Sequence, residues 1–276
     1  MQFLVHPKEY LYFTLGIFWT FFVWLIAVTL VFDPYEGVLL LLFVMLQHLF
    51  RLYRTAGSLR FTGARVTEQQ FPEVYRFVQN LAARMGLPMP EVYIRQEGGE
   101  LNARAFRLPG LAIVVISADL AEIIYRKGSS AVAFVIAHEL AHLKLWHNLK
   151  RLLIDPVYLP IPALGLLFSP LGLAYSRACE LTCDRVAASF FPAGGLDAIR
   201  VLLAGKRLYV HASAEEILER YGQRDFSYLL VELASDHPLL PTRLHALVDA
   251  GLVTLPTGAP RAPVMLATPP LREGAS

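Results

Sequence analysis

Ala137-His138-Glu139-Leu140-Ala141-His142 carries an H-E-x-x-H pentapeptide inside an apolar, helix-favouring run from Ser130 to Trp146. At about 100° per residue, His138 and His142 project from one helix face roughly 40° apart, with Glu139 beside them. Two neutral imidazoles one turn apart can hold one zinc ion, and the adjacent carboxylate can take a proton from water that the metal polarises. The alternative is a pair of satisfied core histidines, because a pattern with three fixed letters also arises by chance. A third ligand elsewhere in the chain decides between the two.

The chain has 276 residues, of which 55% are hydrophobic and only 17% charged. That balance points to membrane segments rather than to a wholly soluble chain. A net charge of +2, with no basic stripe interleaved with aromatics, argues against nucleic acid as a partner. Cys179 and Cys183 make no disulfide framework and suit a reducing compartment.

An uncharged run from Tyr10 to Phe32 is long enough to cross about 30 Å of hydrocarbon as a helix. It is too long for the core of a signal peptide and ends at Asp33-Pro34 rather than at small residues. A second apolar stretch, Val38 to Phe50, reaches Tyr53 as the return arm of a hairpin if Arg51 and Arg54 snorkel to the headgroups. The connecting turn has only acidic charges, whereas Lys8 precedes the first arm and Arg51, Arg54, Arg60 and Arg65 follow the second. The positive-inside bias then places both ends, and the rest of the chain, on the cytoplasmic side. Residues 1–54 are thus expected to be an anchor with helices at about 10–32 and 38–53, residues 55–250 the functional domain, and 251–276 a Pro-rich tail.

Phe71, Val74, Tyr75, Val78 and Leu81 recur at helical spacing before Gly86-Leu87-Pro88 stops the run. Glu91 to Gln96, Leu101 to Arg107 and Leu111 to Ser117 read as strands divided by Gly98-Gly99 and Leu108-Pro109-Gly110, which predicts a small antiparallel sheet. Its edge could take an extended peptide, or the strands could merely cover a helix. Ala118 to Tyr125 reads as helical, Lys127-Gly128-Ser129 interrupts, and Ser129 or Ser130 can cap the metal helix, which is expected to run to about Leu153. On one continuous helix His147 falls about 180° from His138, so it is expected to be an outer or helix-end residue and not a ligand. His211 belongs to no motif.

From Leu152 to Ser176 the only charge is Asp155, and Pro156, Pro160, Pro162 and Pro170 interrupt the apolar run. A single span would divide the site between the two faces of the membrane, so a membrane-associated hairpin over 152–176 is favoured. Directly after it, Glu180 and Asp184 share a helix face, and Ala187 and Ala188 permit close approach of another helix. Glu180 can complete a His₂Glu site that stays open to water, and Asp184 can accept the far N–H of a ligand histidine. Alone, the pair would read as a solvated acidic face. Cys179 and Cys183 flank Glu180 and read as small buried residues.

With these blocks the chain resembles the membrane zinc metallopeptidases of the HtpX type, gluzincins related to the CAAX prenyl proteases. The resemblance rests on His138-Glu139-Leu140-Ala141-His142, on Glu180 with Asp184, on Asp236-His237-Pro238 through Arg243 to Leu247, and on Asn102-Ala103-Arg104-Ala105. It implies that Glu180 is the third zinc ligand, Glu139 the general base and His237 a donor to the oxyanion. It further implies that Arg243 organises the acidic groups near Glu180 and Asp184, and that Asn102, Ala103, Arg104 and Ala105 form a substrate-binding edge strand. Members of that type usually have two further full spans between the zinc and Glu helices, where this chain has room for one span or a shallow hairpin. The chain also lacks the helices for a CAAX-type chamber, which makes a prenylated substrate a poorer fit than misfolded or membrane-bound polypeptide.

The resulting expectation is a mainly helical α+β gluzincin-type domain with a small antiparallel sheet, held in the bilayer by a transmembrane helical hairpin. It would bind one Zn²⁺ and cut unfolded or membrane polypeptides at the cytoplasmic face. Two alternatives stand beside it: an intramembrane metalloprotease, for which Asp197 is the available third ligand, and a membrane scaffold with a structural zinc.

Overall fold

The computed structural model describes residues 4–26, 29, 33–98, 101–125, 130–154 and 162–255. The predicted tail from 256 onward, the centre of the predicted hairpin at 155–161 and the Lys127-Gly128-Ser129 break lie outside the described residues.

Two helices open the chain, α1 (Pro7–Ile26) and α2 (Pro34–Thr62), and both are long and apolar enough to cross a bilayer. Phe18, Phe21 and Phe22 are exposed on α1, and Leu42, Phe43 and Leu46 on α2, as lipid-facing side chains would be. Asp33 caps α2 through Tyr35 N at 2.9 Å, and Pro34 stands in its first turn. The helix does not stop near Tyr53, where the sequence reading sets the end of the anchor. It continues to Thr62 because Ala56 and Leu59 are buried against Tyr93, Phe106, Leu108, Ile113 and Val115 of a sheet.

That sheet consists of β1 (Ala64–Arg65), β2 (Glu91–Arg95), β3 (Ala103–Leu108) and β4 (Leu111–Ser117), in the order β1-β2-β4-β3. It is mixed rather than antiparallel: β3 and β4 form a hairpin around Gly110, but β2 and β4 run parallel. The physical reason lies in β4. Ile113, Val114, Val115 and Ile116 are 0–2% exposed, and so continuous an apolar run takes the doubly covered central place. The chain after β2 therefore passes to the far edge, forms β3 there, and returns as β4. Between β1 and β2, α3 (Pro72–Arg84) buries Val74, Val78 and Leu81, and Gly86, with φ 67°, ends it.

After α4 (Ala118–Tyr125), helix α5 (Ser130–Leu145) is buried on nearly every side, from Ala131 through Leu143. It packs against β3, α7 (Pro162–Phe190) and α8 (Gly194–Leu208). A Cβ at Gly194 would lie 2.3 Å from the Ser130 carbonyl oxygen, so the approach of α8 to α5 requires glycine there. Helix α6 (His147–Ile154) follows α5 at once, and α1 packs along α6 and α7. A Cβ at Gly16 would meet the Ile154 Cβ at 2.8 Å. The predicted 152–176 segment is thus shared between the end of α6 and the first half of α7, which contains Pro170. Helices α9 (Ala214–Gly222), α10 (Phe226–Ala234) and α11 (Leu240–Asp249) complete the domain, and α11 packs on α7, α8 and α9.

Candidate metal centre and substrate cleft

His138 and His142, one turn apart on α5, bring their Nε2 atoms within 3.2 Å of each other. Glu180 of α7 closes the triangle, with Oε2 3.2 Å from His138 Nε2 and Oε1 3.1 Å from His142 Nε2. Ligands about 2.0–2.1 Å from a tetrahedral ion stand about 3.3 Å apart, so three donors at 3.1–3.2 Å fit one small dication.

Outer partners fix these groups. His138 Nδ1 lies 2.9 Å from Asp184 Oδ1, which turns its Nε2 toward Glu180. Arg243 of α11 donates to both oxygens of Asp184, at 2.8 Å from Nε and 2.6 Å from Nη2, and its Nη1 lies 3.8 Å from Glu180 Oε2. His138, Glu180, Asp184 and Arg243 are all buried. Burial alone would lower the His138 pKa, but Glu180 and Asp184 raise it to about 10. Burial likewise opposes ionisation of both carboxylates, yet His138 holds Glu180 well below its usual range and Arg243 lowers Asp184. The cluster favours positive charge where the three donors meet, which a bound dication would supply.

Glu139, partly buried, lines the same cleft, and desolvation pushes its carboxyl up from the ordinary value. The cleft has a volume of about 410 Å³. Asn102, Ala103, Arg104 and Ala105 line it along β3, the outermost strand, whose outer edge has no strand partner among the described residues. Asn102 N donates to Ser117 Oγ at 3.1 Å, and Ser117 N donates to Asn102 O at 2.9 Å, so the strand's start is pinned. His237 lies at the mouth, its side chain 61% exposed, with Nε2 3.6 Å from Glu180 Oε1 and Nδ1 2.8 Å from Asp236 Oδ1. That Asp236 contact is the main reason its pKa is raised. Thr55 and Leu59 from the extended part of α2 also border the cleft.

His147 stands at a helix start outside the three-donor group, as the sequence reading expects, but by a different geometry. The helix breaks at Trp146, whose φ of 58° lies in the left-handed region, and the chain restarts as α6. Arg107 steadies this break: its guanidinium stacks 3.7 Å over the Trp146 ring and donates to the Leu143 carbonyl at 2.7 Å. The about 180° separation expected on one helix therefore does not apply. His147 Nδ1 instead stands 2.9 Å from His142 Nδ1, on the side of that ring away from Glu180. Burial holds its pKa down to about 4, so it is a neutral neighbour. His147 Nε2 in turn lies 3.3 Å from Glu9, a buried residue of α1 that sequence reasoning missed.

Cys183 Sγ, together with an atom of each imidazole, falls within a 4.8 Å group that could in principle hold a metal. It touches His147 Nδ1 at 3.6 Å, however, while Glu180 meets both Nε2 atoms more closely. Burial pushes the Cys179 and Cys183 thiols well up, which keeps them protonated and poor as ligands. Asp197 pairs with Arg200 at 3.5 Å on α8 and does not line the cleft.

The model of Peptidase family M48 matches residues 68–164 and 160–250. A protease HtpX homolog of Ralstonia pickettii (strain 12J) is 36% identical over 84 residues, covering 30% of this chain and 28% of that relative. A protease HtpX homolog of Desulfatibacillum aliphaticivorans is 38% identical over 79 residues, 29% of this chain and 24% of that one. One from Syntrophobacter fumaroxidans is 34% identical over 79 residues, 29% of this chain and 27% of that one. The matched stretch thus spans less than a third of the length of these relatives. No solved structure matches the chain. The family match runs from just before α3 to the end of α11 and takes in every residue of the three-donor centre, and on that ground the chain belongs to peptidase family M48.

Proposed function

We propose that the chain is a membrane-anchored zinc endopeptidase that hydrolyses peptide bonds of unfolded or membrane-bound polypeptides on the cytoplasmic side. The observation that carries this reading is the convergence of His138, His142 and Glu180 at 3.1–3.2 Å, in a cleft that also holds Glu139 and the edge of β3.

His138, His142 and Glu180 would hold the zinc ion, which when bound supplies Lewis acidity to the attacking water and to the scissile carbonyl. Glu139 takes the proton of that water and returns it to the leaving amine; its desolvated setting raises its pKa and makes it a stronger base. His237 donates to the oxygen on which negative charge develops, a contact worth about 3–4 kcal/mol where charge builds up. The edge of β3 along Asn102–Ala105 accepts substrate as an added strand, so recognition rests on main-chain hydrogen bonds and tolerates many sequences.

Two long apolar helices support the anchor. The acidic turn at Asp33 and Glu36, against Lys8, Arg51, Arg54 and Arg65 beyond the two arms, supports the cytoplasmic orientation. The intramembrane alternative gains no support from Asp197, which is paired with Arg200 outside the cleft. The test is cleavage of an unfolded reporter by the detergent-solubilised full chain. Wild type should cut, chelation should stop it, and Glu139→Gln should lose about 10²–10⁴-fold in rate. Undiminished cutting by Glu139→Gln would exclude this mechanism.

A further inference from the structure

Glu9 stands in the first turn of α1, yet it is only 2% exposed. A carboxylate so placed is costly unless donors surround it. Here they do. Thr182 of α7 donates its hydroxyl to Glu9 Oε2 at 2.6 Å, and Lys150 of α6 reaches Oε1 at 3.3 Å. The Thr182 hydroxyl is committed to this role, because its oxygen already accepts the His6 N–H at 3.0 Å. The remaining neighbour is His147, whose Nε2 lies 3.3 Å from Glu9 Oε1. That buried nitrogen makes no aligned hydrogen bond among the described residues, so a proton on it has the Glu9 carboxylate within reach.

On the other side of the same ring, His147 Nδ1 and His142 Nδ1 are 2.9 Å apart. Two imidazole nitrogens at that distance share one proton, so one donates and the other is bare. If His142 presents Nε2 to the metal, its proton sits on Nδ1 and is donated to His147 Nδ1. His147 then carries its own proton on Nε2, facing Glu9. Each tautomer along the chain follows from the one before it.

We propose that Glu9 is a positioning residue for the metal ligand His142, acting through His147, so that the first apolar helix forms part of the outer support of the metal centre. This rests on the zinc reading given above. Asp184 does for His138 directly what Glu9 does for His142 through one intervening imidazole. The consequence is that the anchor and the metal centre are one mechanical unit. Helix α1 packs along α6 and α7, and its carboxylate meets a histidine of the one and a threonine of the other.

The test is zinc affinity, measured by chelator competition on the detergent-solubilised full chain, with melting of the metal-free protein recorded alongside. Glu9→Gln should weaken zinc binding about 10–100-fold, as loss of a ligand's outer partner does. Thr20→Val is the control, because it removes an α1–α6 hydrogen bond to the Ile154 carbonyl, at 3.3 Å, away from the relay. It should leave zinc affinity within about twofold, since it touches no outer partner of a ligand. If Glu9→Gln fails to fold, nitrogen-15 histidine spectra of the zinc-loaded wild type decide. They should show His142 protonated on Nδ1 and His147 on Nε2, and a His147 protonated on Nδ1 overturns the relay.

Wild type that binds zinc through Glu180, with Glu9→Gln unchanged, overturns the relay alone. A stoichiometry near two that Glu9→Gln brings to one would make Glu9 a ligand and also overturn it. Wild type that binds no zinc overturns the functional reading and the relay together.

Discussion

Arg243 grips Asp184 with a two-pronged hydrogen bond, Nε to Oδ2 at 2.8 Å and Nη2 to Oδ1 at 2.6 Å, and the second of those oxygens also holds His138 Nδ1 at 2.9 Å. One buried guanidinium thereby orients a carboxylate that orients His138, a ligand in the proposed centre. Arg243→Leu should leave Asp184 buried without its partner and cost about 3–5 kcal/mol of stability. Arg243→Lys keeps the charge but not the fork, and should fold while losing about 10–100-fold in zinc affinity. Thermal melting and chelator competition check the two; equal zinc affinity in Arg243→Lys and wild type would refute the role.

Removing the metal should cost stability. With His138 neutral as a ligand, Glu139, Glu180 and Asp184 outnumber the guanidinium of Arg243, and a dication would balance them. Zinc at about 1,000 times its Kd should add about 4 kcal/mol over the chelated protein. A melting temperature indifferent to chelator would contradict this.

The thiols should be inert in the folded chain. Cys179 and Cys183 are 3% and 0% exposed, and burial disfavours their thiolates. Iodoacetamide at neutral pH should label neither until the protein is unfolded, read by mass spectrometry. Fast labelling of either cysteine in the native state would show that its thiolate is accessible.

Gly16→Val should damage the seat of α1. The added Cβ would meet Ile154 at 2.8 Å, so α1 must shift from α6 at a cost of about 1–3 kcal/mol. Melting of the solubilised full chain measures this, and an unchanged midpoint would mean that α1 is not packed there.

Much of this arrangement was legible in local spacing. The one-turn separation of His138 and His142 and that of Glu180 and Asp184 follow from the helical repeat alone, as does the buried stripe Val74, Val78 and Leu81 of α3. What stayed hidden depended on distant partners. The left-handed position itself is a Trp rather than a Gly or Asn, and the break is held by Arg107 reaching across from β3. On one unbroken helix His147 would point away from His138. Nothing in the local sequence marks Glu9, and only the packing of α1 on α6 and α7 buries it. Gly98-Gly99 suggested a simple meander, but the apolarity of β4 drew that strand to the centre of the sheet. Arg51 and Arg54 suggested the end of the second helix, whereas burial of Ala56 and Leu59 on the sheet carries it on to Thr62.

The most direct test of the account is the zinc content of the solubilised full chain, measured for wild type, Glu139→Gln and Glu180→Ala. A His₂Glu centre requires about one zinc in wild type and in Glu139→Gln, and close to none in Glu180→Ala. Full zinc retention without Glu180 would contradict the account, since the geometry makes Glu180 the third donor.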